Sequence, residues 1–147
     1  MKKTICISLI IALLLTGCGS GALPELPEDA IAFQTESYTY NGMSKDEFYY
    51  TFEYNGRKYI GYGSVKGFLW KKHINSCIGY IMQQDSKDKV RIYTLNDDED
   101  CNFLIEYVID DKDLMTPFVW RAEDTKGQDI EIPKYIVSET LYEKIWN

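Results

Sequence analysis

The chain has 147 residues, 16 basic and 23 acidic side chains, a formal charge of −7 at pH 7 and a single histidine. An acidic protein with a pI near 4.7 lacks the basic footprint that nucleic acid demands, and an anionic lipid surface repels it. Its twelve tyrosines, six phenylalanines and three tryptophans favour pleated surfaces, so sheet is expected to dominate.

Met1-Lys2-Lys3 is basic, and the twelve residues from Thr4 to Leu15 carry no charge. As a helix they would rise about 18 Å, short of the roughly 30 Å hydrocarbon core, so a cleaved signal is predicted rather than a membrane span. Behind them stands Leu15-Thr16-Gly17-Cys18. This resembles the lipobox of bacterial lipoproteins, which reads aliphatic, small, small, Cys. The resemblance implies cleavage between Gly17 and Cys18 and transfer of diacylglycerol to the Cys18 sulfur. The mature chain would then sit on the extracytoplasmic face of the cell membrane. Each buried methylene contributes about 0.8 kcal/mol, and two acyl chains make a durable anchor. Loss of Lys2 and Lys3 leaves 14 cations against 23 acids, a net −9, so the lipid carries the attachment alone.

Gly19-Ser20-Gly21-Ala22 is flexible, and Leu23-Pro24-Glu25-Leu26-Pro27-Glu28-Asp29 is acidic and proline-spaced. Together they read as a tether reaching at most about 35–40 Å. Pro24 and Pro27 suit a spacer better than a proline-recognition ligand. The expected organisation is a signal at 1–17, lipidated Cys18 and tether at 18–29, and one β-rich extracytoplasmic domain at 30–147.

Within that domain turn signals recur about every ten residues: Asn41-Gly42, Asn55-Gly56, Asp85 to Asp88, Asn96 to Asp98, Asp110 to Asp113 and Asp124 to Gly127. That rhythm predicts a mainly β or α+β fold, a small antiparallel meander. Phe48, Tyr50, Phe52 and Tyr54 alternate ahead of Asn55-Gly56, a pair that supplies the positive φ of a type I′ turn. The turn would pair Tyr54 with Arg57, Glu53 with Lys58, Phe52 with Tyr59 and Thr51 with Ile60. Val65 to Ile74 is read as a short helix with Val65, Phe68 and Leu69 inward, weakened by Gly67. Further strands are expected at Ile78–Gln83, Val90–Leu95, Phe103–Ile109, Phe118–Ala122 and Ile130–Val137. Ser138 is placed to cap a short C-terminal helix carrying Leu141, Tyr142, Ile145 and Trp146.

From Tyr54 to Tyr107 the chain also resembles small bacterial lipoproteins of uncharacterised function. The shared features are Asn55-Gly56-Arg57-Lys58-Tyr59, the Ile78-Gly79 step and Val90-Arg91-Ile92-Tyr93. They are structural motifs, and the resemblance implies no activity.

Candidate chemistry is sparse. A triad would need His73, with Ser64, Ser76 or Cys77 as nucleophile, yet no spacing selects such a set and Lys71-Lys72-His73 reads as a solvated basic spot. Asp98-x-Asp100-x-Asn102 opens like a calcium loop but carries Phe103 and Ile109 where Gly and a bidentate Glu are required. Asn96 to Asp100 and Asp110 to Asp113 would hold a cation only if their turns met; solvated turns are the simpler reading, and no metal or cofactor is assigned. Gly61-x-Gly63-x-x-x-Gly67 lacks the βαβ setting of a phosphate loop.

Cys77 and Cys101 remain once Cys6 leaves with the signal and Cys18 takes lipid. A disulfide persists outside the cytoplasm and is one reading. Two buried thiols are the other, because in a simple meander the two residues flank a central strand roughly 9–10 Å apart. Two functions stay open. One is a non-enzymatic binding module for an envelope protein or glycan such as a peptidoglycan fragment, using a face drawn from Trp70, Trp120, Trp146 and the twelve tyrosines. The other is a small envelope hydrolase using paired carboxylates.

Overall fold

The computed structural model describes residues 23–67, 69, 71–82, 90–108 and 117–147. The expected signal, Cys18, Phe68, Trp70 and the turns at Asp85 to Asp88 and Asp110 to Asp113 lie outside these residues. Asn55 and Gly56 take φ of 50° and 72°, as a type I′ turn requires. Strand β3 (Tyr49–Tyr54) and strand β4 (Arg57–Val65) pair in the expected register, with Tyr54 opposite Arg57 and Phe52 opposite Tyr59.

The fold is β-rich, with nine strands in one sheet and a short C-terminal helix among the described residues. The remaining strands are β1 (Ile31–Phe33), β2 (Glu36–Tyr38), β5 (Ile74–Ile81), β6 (Val90–Leu95), β7 (Phe103–Val108), β8 (Phe118–Ala122) and β9 (Ile136–Ser138). Strands β5, β6, β7 and β8 form an antiparallel meander, and β8 continues into β4, β3 and β2. Strand β1 lies parallel to β5 on the other edge. Only Gln34 and Thr35 separate β1 from β2, so one short stretch of chain borders both edges and the sheet rolls up. Phe33 closes the roll, its ring centroid 4.9 Å from that of Phe52.

Rolling splits the hydrophobic residues into two sets by strand alternation. Phe33, Phe52, Tyr59, Ile81, Val90, Ile92, Leu104, Trp120 and Ala122 line the inside. The outer face carries Tyr62, Tyr93, Phe103, Ile105, Tyr107 and Val119 among others, and the chain's own ends cover it. Leu23 and Leu26 pack there, so the segment read as a tether contributes to the domain from Leu23 onward. Helix α1 (Thr140–Trp146) seats Ile145 against Ile60, Tyr38 and Tyr49.

Four expected elements differ, the first being β5, which starts at Ile74 rather than Ile78 and so takes Cys77 into the strand. Where a helix is expected from Val65 to Ile74, the described residues hold the end of β4, a 3-10 turn at Lys71–His73 and the start of β5. Gly67 at φ 78° takes the chain out of helical geometry. The strand expected at Ile130–Val137 is confined to Ile136–Ser138 on β4, because Pro133 interrupts the preceding run and cannot donate to a ladder. Ser138 therefore belongs to β9, and Glu139 stands at the helix N-cap without a side-chain bond.

Candidate functional site

A pocket of about 500 Å³ opens at one end of the roll, lined by Thr35, Phe48, Tyr49, Tyr50, Gly61, Ile81, Glu106, Phe118, Trp120 and Tyr142. The alternating aromatic row of β3 builds one wall. Its inner members, Phe52 and Tyr54, join the interior core, whereas Phe48 and Tyr50 pass its end and stay exposed at 66% and 50%. Their rings meet edge to face with centroids 5.1 Å apart.

The opposite wall comes from β8 and α1. Phe118 lies edge to face with Trp120 at 5.2 Å and with Tyr142 at 5.6 Å. Gly61 sits between the walls. It pairs with Trp120 on β8, and continuing the β3–β4 register by one residue places it beside Tyr50. A side chain at Gly61 would run into the Tyr142 ring, so glycine here admits Tyr142 to the pocket. Gly63 does the same for the β9 backbone, and Gly67 turns the chain; none of the three meets a phosphate-loop geometry.

Glu106 is the one carboxylate among the described lining residues. It pairs across the ladders with Ile92 and Phe118, a charged position in an apolar row. The Trp120 indole Nε1 donates to its Oε2 at 2.9 Å. Burial pushes its pKa above the ordinary carboxylate value, and the indole bond offsets part of that rise. Paired-carboxylate hydrolysis needs a second acid, and the described lining does not supply one.

The sequence-derived candidates fall elsewhere. The His73 ring lies tilted against Tyr135 with centroids 4.5 Å apart, and its Nδ1 is 3.7 Å from Asp97. Ser76 Oγ bonds Thr94 Oγ1 at 3.0 Å, the Cys77 thiol faces the Gly79 carbonyl, and Ser64 sits in the β4 ladder. The triad residues are thus committed to separate surroundings. Among the described residues no three potential metal ligands converge.

The calcium-like turn is held by an arginine instead. Arg57 Nη1 donates to the carbonyls of Asp100 (2.6 Å) and Cys101 (3.1 Å), and Nη2 to Asn102 Oδ1 at 3.0 Å. The same guanidinium grips both oxygens of Asp124 at 2.8 and 2.7 Å. Buried Asp98 accepts the Phe103 amide at 2.6 Å and closes the turn.

Cys77 and Cys101 are free thiols. Cys77 lies within β5 opposite Tyr93, which faces Ile105, so the register carries Cys77 to the middle of β7. Phe103 is already roughly 12 Å from Cys77, two strands across and two residues along, and Cys101 precedes it. That separation exceeds the roughly 7 Å span of a disulfide. Burial raises both thiol pKa values, which suits packing rather than nucleophilic chemistry.

No protein family, curated protein or solved structure matches the chain. Among the described residues no helix is long and apolar enough to cross a membrane.

Proposed function

We propose that this chain is a lipid-anchored lipoprotein of the cell envelope whose rolled sheet is a non-enzymatic binding module. The observation that carries the binding reading is the pocket: concave and walled by aromatic rings, with Glu106 the one carboxylate among its described lining residues. Such a combination holds a small ligand by contact area and orients it by a few polar bonds. The anchor rests on Leu15-Thr16-Gly17-Cys18 behind an uncharged run. Because Leu23 already packs on the domain, five residues from Cys18 to Leu23 set the reach to the lipid, at most about 18 Å. The pocket then works close to the membrane.

Two measurements test this. Membrane fractionation with mass spectrometry of the N-terminal peptide is expected to find Cys18 as a lipidated first residue and Cys18→Ala uncleaved or released. Thiol titration of the mature, denatured, unreduced protein is expected to count two. An unmodified Cys18 in the membrane-bound protein rules out the anchor. For binding, NMR titration with muropeptides, amino sugars and small amines is expected to move the Trp120 indole N–H, and Tyr50→Ala to weaken that response. Shifts confined to other surfaces, or none with any solute, overturn the module.

A further inference from the structure

We infer that the pocket takes an organic cation, with an alkylammonium group seated on Glu106 inside a cage of Tyr50, Phe118, Trp120 and Tyr142. This inference rests on the binding-module reading and specifies its ligand.

Charge and shape both point there. Glu106 sits in a row of apolar neighbours, and Trp120 is its only side-chain hydrogen-bond partner among the described residues. Ionising Glu106 in such surroundings is costly unless a cation meets it, so a bound cation and the ionised carboxylate favour each other, and no basic side chain among the described pocket residues plays that part. Aromatic faces attract ammonium groups through the ring quadrupole, and the attraction grows where water is excluded. The domain shows the same physics in an occupied form on its outer face. There the buried Arg121 guanidinium lies 4.7 Å from the Trp146 ring, 5.3 Å from Tyr62 and 5.9 Å from Phe103. Arg121 brings its own cation to an aromatic setting, whereas the inner face sets aromatic rings beside the Glu106 carboxyl with no basic side chain among the described lining residues. The volume, about 500 Å³, exceeds what an ammonium head alone fills, so the ligand carries an apolar or neutral body along Phe48 and Tyr50.

A structural carboxylate and a ligand-binding one respond oppositely to removal of charge. Glu106→Gln keeps the shape and the Trp120 bond while lifting the burial penalty. It is expected to leave the denaturation midpoint unchanged or raised and to weaken cation binding at least tenfold. The probes are choline and its neutral isostere 3,3-dimethylbutan-1-ol, titrated calorimetrically into the full-length chain in a maltoside detergent. Choline is expected to bind at least tenfold more tightly than the alcohol, with the NMR signal of the Trp120 indole N–H reporting occupancy. Equal binding of the two probes, or choline binding untouched by Glu106→Gln, overturns the cation assignment and leaves the pocket a site for neutral ligands. Failure of both probes to bind or to perturb Trp120 overturns the assignment outright. The muropeptide and amino-sugar titrations then decide whether the binding module itself stands.

Discussion

Replacing Arg57 by methionine is expected to destabilise the domain by about 2–3 kcal/mol. Methionine keeps the apolar stem but removes every donor of the guanidinium, which bonds two backbone carbonyls, Asn102 and both oxygens of Asp124. Hydrogen bonds from a charged donor are worth more than neutral ones, but the Asp124 end is open to water, its side chain 57% exposed, so that half of the network contributes little. The larger share comes from the turn itself. Cys101 holds φ at 50°, an uncommon conformation for a residue with a Cβ, and its carbonyl is fixed by Arg57 and by the Tyr59 hydroxyl at 2.6 Å. Without Arg57 the turn keeps only one of those restraints. Urea denaturation measures the effect as a fall in midpoint at unchanged slope. Lysine at this position is expected to recover less than half of the loss, since a point charge cannot span carbonyls and carboxylate together. A loss under about 0.5 kcal/mol for the methionine variant would mean that the turn holds without its cation. The pairing also sets a weak acid dependence. Arg57 holds Asp124 below its ordinary 3.8, so this contribution is present above that value and fades as pH falls further.

The hairpin was legible because every determinant is local. Asn-Gly specifies the turn, the turn specifies the register, and the alternating aromatics specify the buried face, with no distant residue needed. The meander of β5 to β8 was legible for the same reason, each strand being a compact run of branched and aromatic residues. What escaped depends on distant partners. Strands β1 and β2 are three residues each and owe their existence to the edges of β5 and β3, so their own sequences carry no alternation to detect. Leu23 and Leu26 looked like linker because their neighbours are prolines and acids; only the outer-face core gives those leucines a reason to be buried. At the pocket, an aromatic surface of tryptophans and tyrosines was expected in kind, but not its phenylalanines Phe48 and Phe118. Glu106 did leave a signal: a lone acid in Phe103-Leu104-Ile105-Glu106-Tyr107-Val108 contradicts its strand and marks a position held for something other than packing. Arg57 left none, because its partners lie 43 to 67 residues away in sequence.

Raising the pH above 10 is expected to unfold the domain cooperatively, with the loss complete near pH 12. Tyr38, Tyr93, Tyr107 and Tyr142 are each pushed up to about 12 from an ordinary 10.0, in every case chiefly by burial. At Tyr38 a hydrogen bond to Glu123 at 2.9 Å adds to the rise. Tyr59 and Tyr135 are raised as well, burial again leading. The sign follows from which state loses protons first. In the unfolded chain these phenols ionise near 10, while in the folded domain they stay protonated until about 12. Their contribution is therefore complete below pH 10 and is withdrawn between the two values as the unfolded state gains charge. Solvent that still reaches these phenols screens each contribution, but all of them are withdrawn over the same pH interval and so act together against the fold. Tyr107 offers the cleanest check, because burial is the one cause of its shift and its exposure is only 4%. Tyr107→Phe removes the ionisable group at little cost in packing and is expected to move the alkaline midpoint upward while leaving neutral stability within about 1 kcal/mol. Tyrosinate absorbance and circular dichroism, followed through the same titration, should change together. Tyrosinate appearing well before the fold is lost, or an alkaline midpoint unmoved by Tyr107→Phe, would show that these phenols reach water in the folded domain.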